Sequence, residues 1–120
     1  MKKILIIDDS NTNVVLLEAI LNNRGYEIQK AMNVEEAYNM MAHEPPALIL
    51  LDLLIPKISG YQFLDQIKQD EKTKDIPVII VSAVTDALNI KKTLDIGAVD
   101  YIMKPVDIKE LINKVEKTLN

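Results

Sequence analysis

Ile4-Leu5-Ile6-Ile7-Asp8-Asp9 is a run of four bulky aliphatic residues cut off by two carboxylates. A strand with one wet face alternates apolar and polar residues. This run does not, so it reads as a strand buried on both faces. The pattern recurs: Leu48-Ile49-Leu50-Leu51 stops at Asp52, Val78-Ile79-Ile80-Val81 at Ser82, and Tyr101-Ile102-Met103 at Lys104-Pro105. Segments of helical period separate these runs. Strands alternating with helices imply a parallel sheet covered on both faces. Ligands of such sheets sit beyond the carboxyl ends of the strands. Three carboxylates, a hydroxyl and an ammonium therefore meet at one edge.

The remaining elements fall around these runs. From Asn13 to Asn23, Val14, Leu17 and Leu21 share one helical face, with Ser10 or Asn11 as cap and Gly25 as stop. Tyr26–Ala31 is a more polar strand, suited to a sheet edge. Asn33 and Glu36 make a capping-box-like start to a second helix, which Pro45-Pro46 end. Ala47–Leu51 is the third strand, Ile55–Gly60 a loop, and Tyr61–Gln69 the third helix. Pro77 opens the fourth strand. Thr85 or Asp86 starts a fourth helix that stops near Gly97. After the fifth strand, Tyr101–Met103, Asp107 and Glu110 start a last helix with Ile108, Leu111, Ile112, Val115 and Leu119 at core spacing. The expected fold is a doubly wound α/β domain of five strand–helix units over residues 1–120.

Bulk properties narrow the function. With 48% hydrophobic and 27% charged residues the chain reads as globular. It has no cysteine, so disulfides, iron–sulfur clusters and thiolate zinc sites are excluded, and a reducing cytoplasm is the expected location. The formal charge is −4, which disfavours direct contact with nucleic acid phosphates. No apolar run approaches the roughly 18 residues of a membrane span. Met1-Lys2-Lys3 is followed by too short an apolar stretch for a signal peptide. Three glycines and no glycine-rich loop exclude a dinucleotide fingerprint. The lone His43, near the end of the second helix, reads as solvated.

Any one of Asp8, Asp9 and Asp52 would be an ordinary solvated strand-end acid. Three on neighbouring ends raise one another's pKa and destabilise the fold unless a cation neutralises them. Magnesium suits oxygen donors and uses one or two carboxylates plus a phosphate. No histidine or cysteine set favours zinc. Lys104, pinned by Pro105, brings an ammonium to the same edge, and Ser82 a hydroxyl.

Together these residues resemble the receiver domain of bacterial two-component response regulators, across essentially the whole chain. The carriers are Asp8-Asp9-Ser10, Leu51-Asp52 through Ser59-Gly60, Val81-Ser82-Ala83, and Gly97 through Lys104-Pro105. The resemblance implies strand order 2-1-3-4-5 and a phosphorelay function. Asp52 would be the phosphoacceptor. Asp9, Asp52 and the backbone carbonyl of Leu54 would ligate Mg2+ (or Mn2+), with Asp8 acting mainly through a bound water. Lys104 would pair with the phosphoryl group and Ser82 would contact it. Tyr101 would turn inward as Ser82 is drawn to the phosphate, reshaping the surface of the fourth helix, fifth strand and fifth helix. The Lys104–Pro105 bond would be cis, and Gly60 would permit the turn after the acceptor loop.

The implied donor is a phosphohistidine on a sensor histidine kinase or phosphotransfer protein. The implied output is a downstream protein or a fused effector domain. A phosphorylation-dependent homodimer is left open, since the last helix has no arginine for charged pairing. Such a domain is not a conventional enzyme, although it assists its own phosphorylation and dephosphorylation. Departures from the family pattern are Ile55 where methionine is common and Ser82 where threonine is. Leu54 and Val84 are apolar at positions flanking the acceptor, and are expected to keep water from the acyl phosphate. Two other readings compete. An aspartyl-nucleophile phosphatase would want an acid at position 54, where leucine stands. A phosphorylation-independent interaction module would not need the complete set of site residues.

Overall fold

A computed structural model describes residues 2–56 and 58–120; Met1 and Lys57, the latter inside the expected Ile55–Gly60 loop, lie outside the described residues. Five strands and five helices alternate: β1 Lys3–Ile7, α1 Asn11–Asn22, β2 Glu27–Ala31, α2 Val34–His43, β3 Leu48–Leu51, α3 Gly60–Gln69, β4 Val78–Ser82, α4 Ala87–Ile96, β5 Asp100–Met103 and α5 Ile108–Leu119. All pairings are parallel and the order is β2-β1-β3-β4-β5, as the resemblance implies.

Because side chains alternate across a strand, each strand feeds two cores. Leu5 and Ile7 join Ile49, Leu51, Val78 and Ile80 beneath Ala37 and Met41 of α2 and Phe63, Leu64 and Ile67 of α3, with α4 packed alongside. Ile4 and Ile6 join Leu48, Leu50, Ile79 and Val81 beneath Val14, Leu17 and Leu21 of α1 and Leu111, Val115 and Leu119 of α5. The central strands β1, β3 and β4 carry almost entirely buried residues, which accounts for their lack of polar alternation. β2, at the edge, is the polar one.

Boundaries differ from expectation where capping decides them. Ser10, Asn33, Ser59, Asp86 and Asp107 each accept a backbone N–H three residues on, so Asp86 rather than Thr85 caps α4. Pro77 stays outside β4 but lends its carbonyl to Ile49 N. In α5 the core stripe is Leu111, Val115 and Leu119; Ile108, the first residue of the helix, is 52% exposed.

Candidate functional site

The ladder registers Ile7 with Leu51, Leu51 with Ile80, and Ser82 with Met103, so β4 and β5 run two residues past the level ends of β1 and β3. One further rung lies beyond them, where Asp8 N donates to Ala31 O and Asp52 N to Ile7 O. Asp8 and Asp52 therefore leave neighbouring strand ends on rigid backbone. Both are buried, whereas Asp9 is exposed. Carboxylate oxygens of Asp8, Asp9 and Asp52 lie within 4.8 Å of one another.

Lys104 reaches this cluster from β5. Its Nζ stands 3.0 Å from Asp8 Oδ2 and 3.0 Å from Asp52 Oδ2. The Lys104–Pro105 bond is cis, and Lys104 N donates to Ser82 O. Burial pulls the ammonium down, but hydrogen bonds and charge from Asp8 and Asp52 outweigh it and leave Lys104 above its ordinary pKa. Burial pushes the Asp52 carboxyl up, and the Leu54 N–H and Lys104 offset that only in part. The Leu54 N–H donates to Asp52 Oδ1 at 3.1 Å, while the Leu54 side chain is 61% exposed at the mouth of the site.

Gly60 shapes the acceptor loop differently from expectation. It has no positive φ; it is the first residue of α3. Its N–H donates to Leu53 O, and a Cβ there would stand 2.4 Å from Leu53 Cα. Close approach of backbone to backbone, rather than turn freedom, is what requires glycine.

Ser82 is fully buried, and its Oγ accepts from Val84 N at 3.3 Å. Tyr101 is turned inward, and its hydroxyl donates to the Val84 carbonyl at 2.5 Å. Burial raises the Tyr101 pKa, so the phenol stays protonated and able to donate. Thus Asp8, Asp9, Asp52 and Lys104 form one cluster, while Ser82 and Tyr101 meet at the two sides of one peptide residue, Val84. Sequence reasoning missed Asn13, whose Nδ2 donates to Asp8 Oδ2 at 2.6 Å; the only signal was an asparagine in the first turn after the cap.

The donor set fits magnesium. All the clustered atoms are carboxylate oxygens, with no histidine or cysteine among them, and hard oxygen donors are what magnesium prefers.

Comparison with known proteins settles the family. The family model for the response regulator receiver domain matches residues 4–116. The chain belongs to this family. The receiver domain is 34% identical over 119 residues to the DNA-binding dual master transcriptional regulator RpaA of Synechocystis sp., covering 99% of this chain and 49% of that protein. It is 36% identical to the phosphate regulon transcriptional regulatory protein PhoB of Pseudomonas aeruginosa, covering 98% of this chain and 52% of that one. The receiver domain thus spans about half the length of these curated relatives. Among solved structures, a putative response regulator from Chloroflexus aurantiacus matches with a TM-score of 0.93 and 32% identity over 98% of this chain and 97% of that one. Vibrio cholerae chemotaxis protein CheY4 shares the fold, with a TM-score of 0.91 at 23% identity, over 99% of each chain. Among the described residues no helix is long and apolar enough to cross a membrane.

Proposed function

We propose that this receiver domain accepts a phosphoryl group on Asp52 from a phosphohistidine donor. The observation that carries the reading is the buried Asp52 carboxylate held 3.0 Å from the Lys104 ammonium beside two further carboxylates. Phosphoryl transfer asks mainly for positioning and charge neutralisation. An Asp52 oxygen attacks phosphorus in line. The phosphorus–nitrogen bond breaks with its electron pair left on the imidazole, and a phosphorus–oxygen bond forms an acyl phosphate. Lys104 is close enough to follow the charge from the carboxylate to the phosphoryl oxygens. Asp9, Asp52 and the Leu54 carbonyl would hold magnesium, with Asp8 acting through water. The metal, when bound, supplies positive charge to the phosphoryl oxygens.

Ser82 and Tyr101 carry the signal. If the Ser82 hydroxyl turns to a phosphoryl oxygen, the Val84 N–H loses its acceptor. Val84 lies two residues before the α4 cap Asp86, so a change in its peptide is passed to α4 and β5. That is a local charge event acting on a packed element. The donor is a sensor histidine kinase or phosphotransfer protein. The output is a downstream protein or effector domain, with a phosphorylation-dependent homodimer as one form of readout. Such signalling places the domain in the cytoplasm. The domain assists its own phosphorylation and dephosphorylation and is not a conventional enzyme.

The test is incubation with magnesium and acetyl phosphate, or with a beryllofluoride mimic, read by intact mass and tyrosine fluorescence. One phosphoryl group per chain is expected, and none in Asp52→Asn. Sustained turnover would identify a phosphatase instead. Absence of any response would identify a phosphorylation-independent interaction module.

A further inference from the structure

We infer that Asn13 is a positioning residue for the divalent cation: its side-chain amide fixes the Asp8 carboxylate in the orientation from which the cluster binds metal. The inference rests on the acceptor reading of the site. Asp8 and Asp9 are neighbours in sequence but differ sharply in surroundings. Asp9 is exposed and takes no hydrogen bond or ion pair from any described residue. Asp8 is 2% exposed, and both its oxygens are held. Oδ1 accepts from Ser10 N at 2.8 Å; Oδ2 accepts from Asn13 Nδ2 at 2.6 Å and from Lys104 Nζ at 3.0 Å.

These three donors are not equivalent. Lys104 is shared with Asp52 and is the group that would follow a phosphoryl charge. Ser10 N and Asn13 Nδ2 belong to the turn into α1 and stay when Lys104 moves. Among the described residues only Asn13 shares Oδ2 with Lys104, so its amide keeps that oxygen from swinging toward Asp52 and adding to the repulsion there. Asn13 is itself well anchored. Its backbone N–H donates to the cap hydroxyl of Ser10, and the next residue, Val14, is buried in the core. An amide on a rigid helix, bonded to a carboxylate of the metal cluster, sets orientation and charge distribution at the metal. Asn13 touches no reacting atom in this account, so its role is positioning and not catalysis.

The cap uses the backbone of residue 13 and survives a change of side chain, which separates the two roles. Asn13→Leu keeps the branched shape without the donor, and Asn13→Ala removes both. Asn13→His keeps a nitrogen the same number of bonds from Cβ. Magnesium chloride titrated into isotope-labelled protein, followed by backbone amide shifts, reports affinity and fold together. Asn13→Leu and Asn13→Ala are expected to weaken magnesium binding by about tenfold or more, with metal-free melting temperatures close to native and affinity largely restored in Asn13→His. Acetyl phosphate labelling of the Leu variant should recover when magnesium is saturating. Native affinity in both the Leu and Ala variants overturns the inference. So does weakened binding that appears only with a lowered metal-free melting temperature, which would assign Asn13 a purely structural role. If the native chain shows no magnesium-dependent shift, the acceptor reading falls as well.

Discussion

The Tyr101 hydroxyl donates to the Val84 carbonyl at 2.5 Å, and the same residue gives its N–H to Ser82 Oγ at 3.3 Å. Val84 is therefore held from both sides by the two proposed switch residues. Tyr101→Phe keeps the buried ring and removes one bond, leaving a carbonyl without its partner. The expected cost is about 0.5–1.5 kcal/mol, a melting temperature lower by about 2–7 °C. Calorimetry of the two proteins measures it, and an unchanged midpoint would show that the bond adds nothing to stability.

Gly60→Ala should be worse than its small size suggests. The added methyl would meet Leu53 Cα at 2.4 Å and Leu53 O at 2.9 Å, both backbone atoms of the acceptor loop. Neither can move without shifting α3 or the segment after Asp52. Overpacking of this kind costs about 1–3 kcal/mol. The same shift would disturb the Leu54 N–H that holds Asp52, so slower labelling by acetyl phosphate should accompany a lower denaturation midpoint. A variant that melts and labels like the native protein would contradict this account.

Asp52 should make stability depend on pH in the sense opposite to a paired surface acid. Its folded-state pKa is raised above the ordinary 3.8, chiefly by burial. The folded state therefore holds the Asp52 proton more tightly than the unfolded chain does. This destabilises the metal-free fold at neutral pH, and the effect fades as pH falls through the raised pKa. Asp52→Asn, neutral at every pH, should melt higher than native at pH 7 without metal. The gap should close as pH is lowered toward 4. Asp86, held low by Asn89, works the other way and loses stability on acidification, but equally in both proteins. A gap that widens toward acid would refute the assignment.

Much of this is legible in the sequence because the sheet is buried on both faces. Uninterrupted aliphatic runs can then be nothing but central strands, and each ends at a polar residue that cannot follow it inward. Asp8 and Asp52 come directly from that rule, and Lys104 from the short apolar run of the edge strand β5. Asn13 does not, since an asparagine in a first helical turn looks like any solvated residue. Its role depends on a 2.6 Å approach created by the turn between β1 and α1. The reason for Gly60 is equally hidden, because Leu53 and Gly60, seven positions apart, touch only when the acceptor loop folds back on α3. Ile108 fits a helical period yet stands 52% exposed at the first residue of α5, and periodicity alone does not tell how far along a helix the packed stripe runs.

Gln29 marks a flaw in the packing. Its Oε1 is buried, on the edge strand β2, without a hydrogen-bond partner among the described residues. A buried unsatisfied polar atom costs about 1–3 kcal/mol, while a side chain of similar shape without it can be neutral or stabilising. Gln29→Met should therefore raise the denaturant midpoint by an amount equivalent to about 1 kcal/mol. A lower midpoint would mean that the amide has a water partner.

Leu54 should lengthen the life of the acyl phosphate. Its N–H holds Asp52 Oδ1, which places its side chain beside the acceptor, and that side chain is 61% exposed where solvent would approach. Hydrolysis needs a water aligned with the phosphorus–oxygen bond, and an aliphatic group offers it neither donor nor acceptor. Leu54→Asn or Leu54→Glu would supply one at the same place. Positioned acid–base groups commonly contribute about 100-fold or more to such steps; from an exposed and mobile side chain, a gain of about tenfold in the loss rate is expected. The native domain should hold its phosphoryl group for minutes or longer after the donor is removed, as followed by intact mass. A native lifetime of seconds, or an Asn variant that loses phosphate no faster, would mean that water reaches the site by a route Leu54 does not cover.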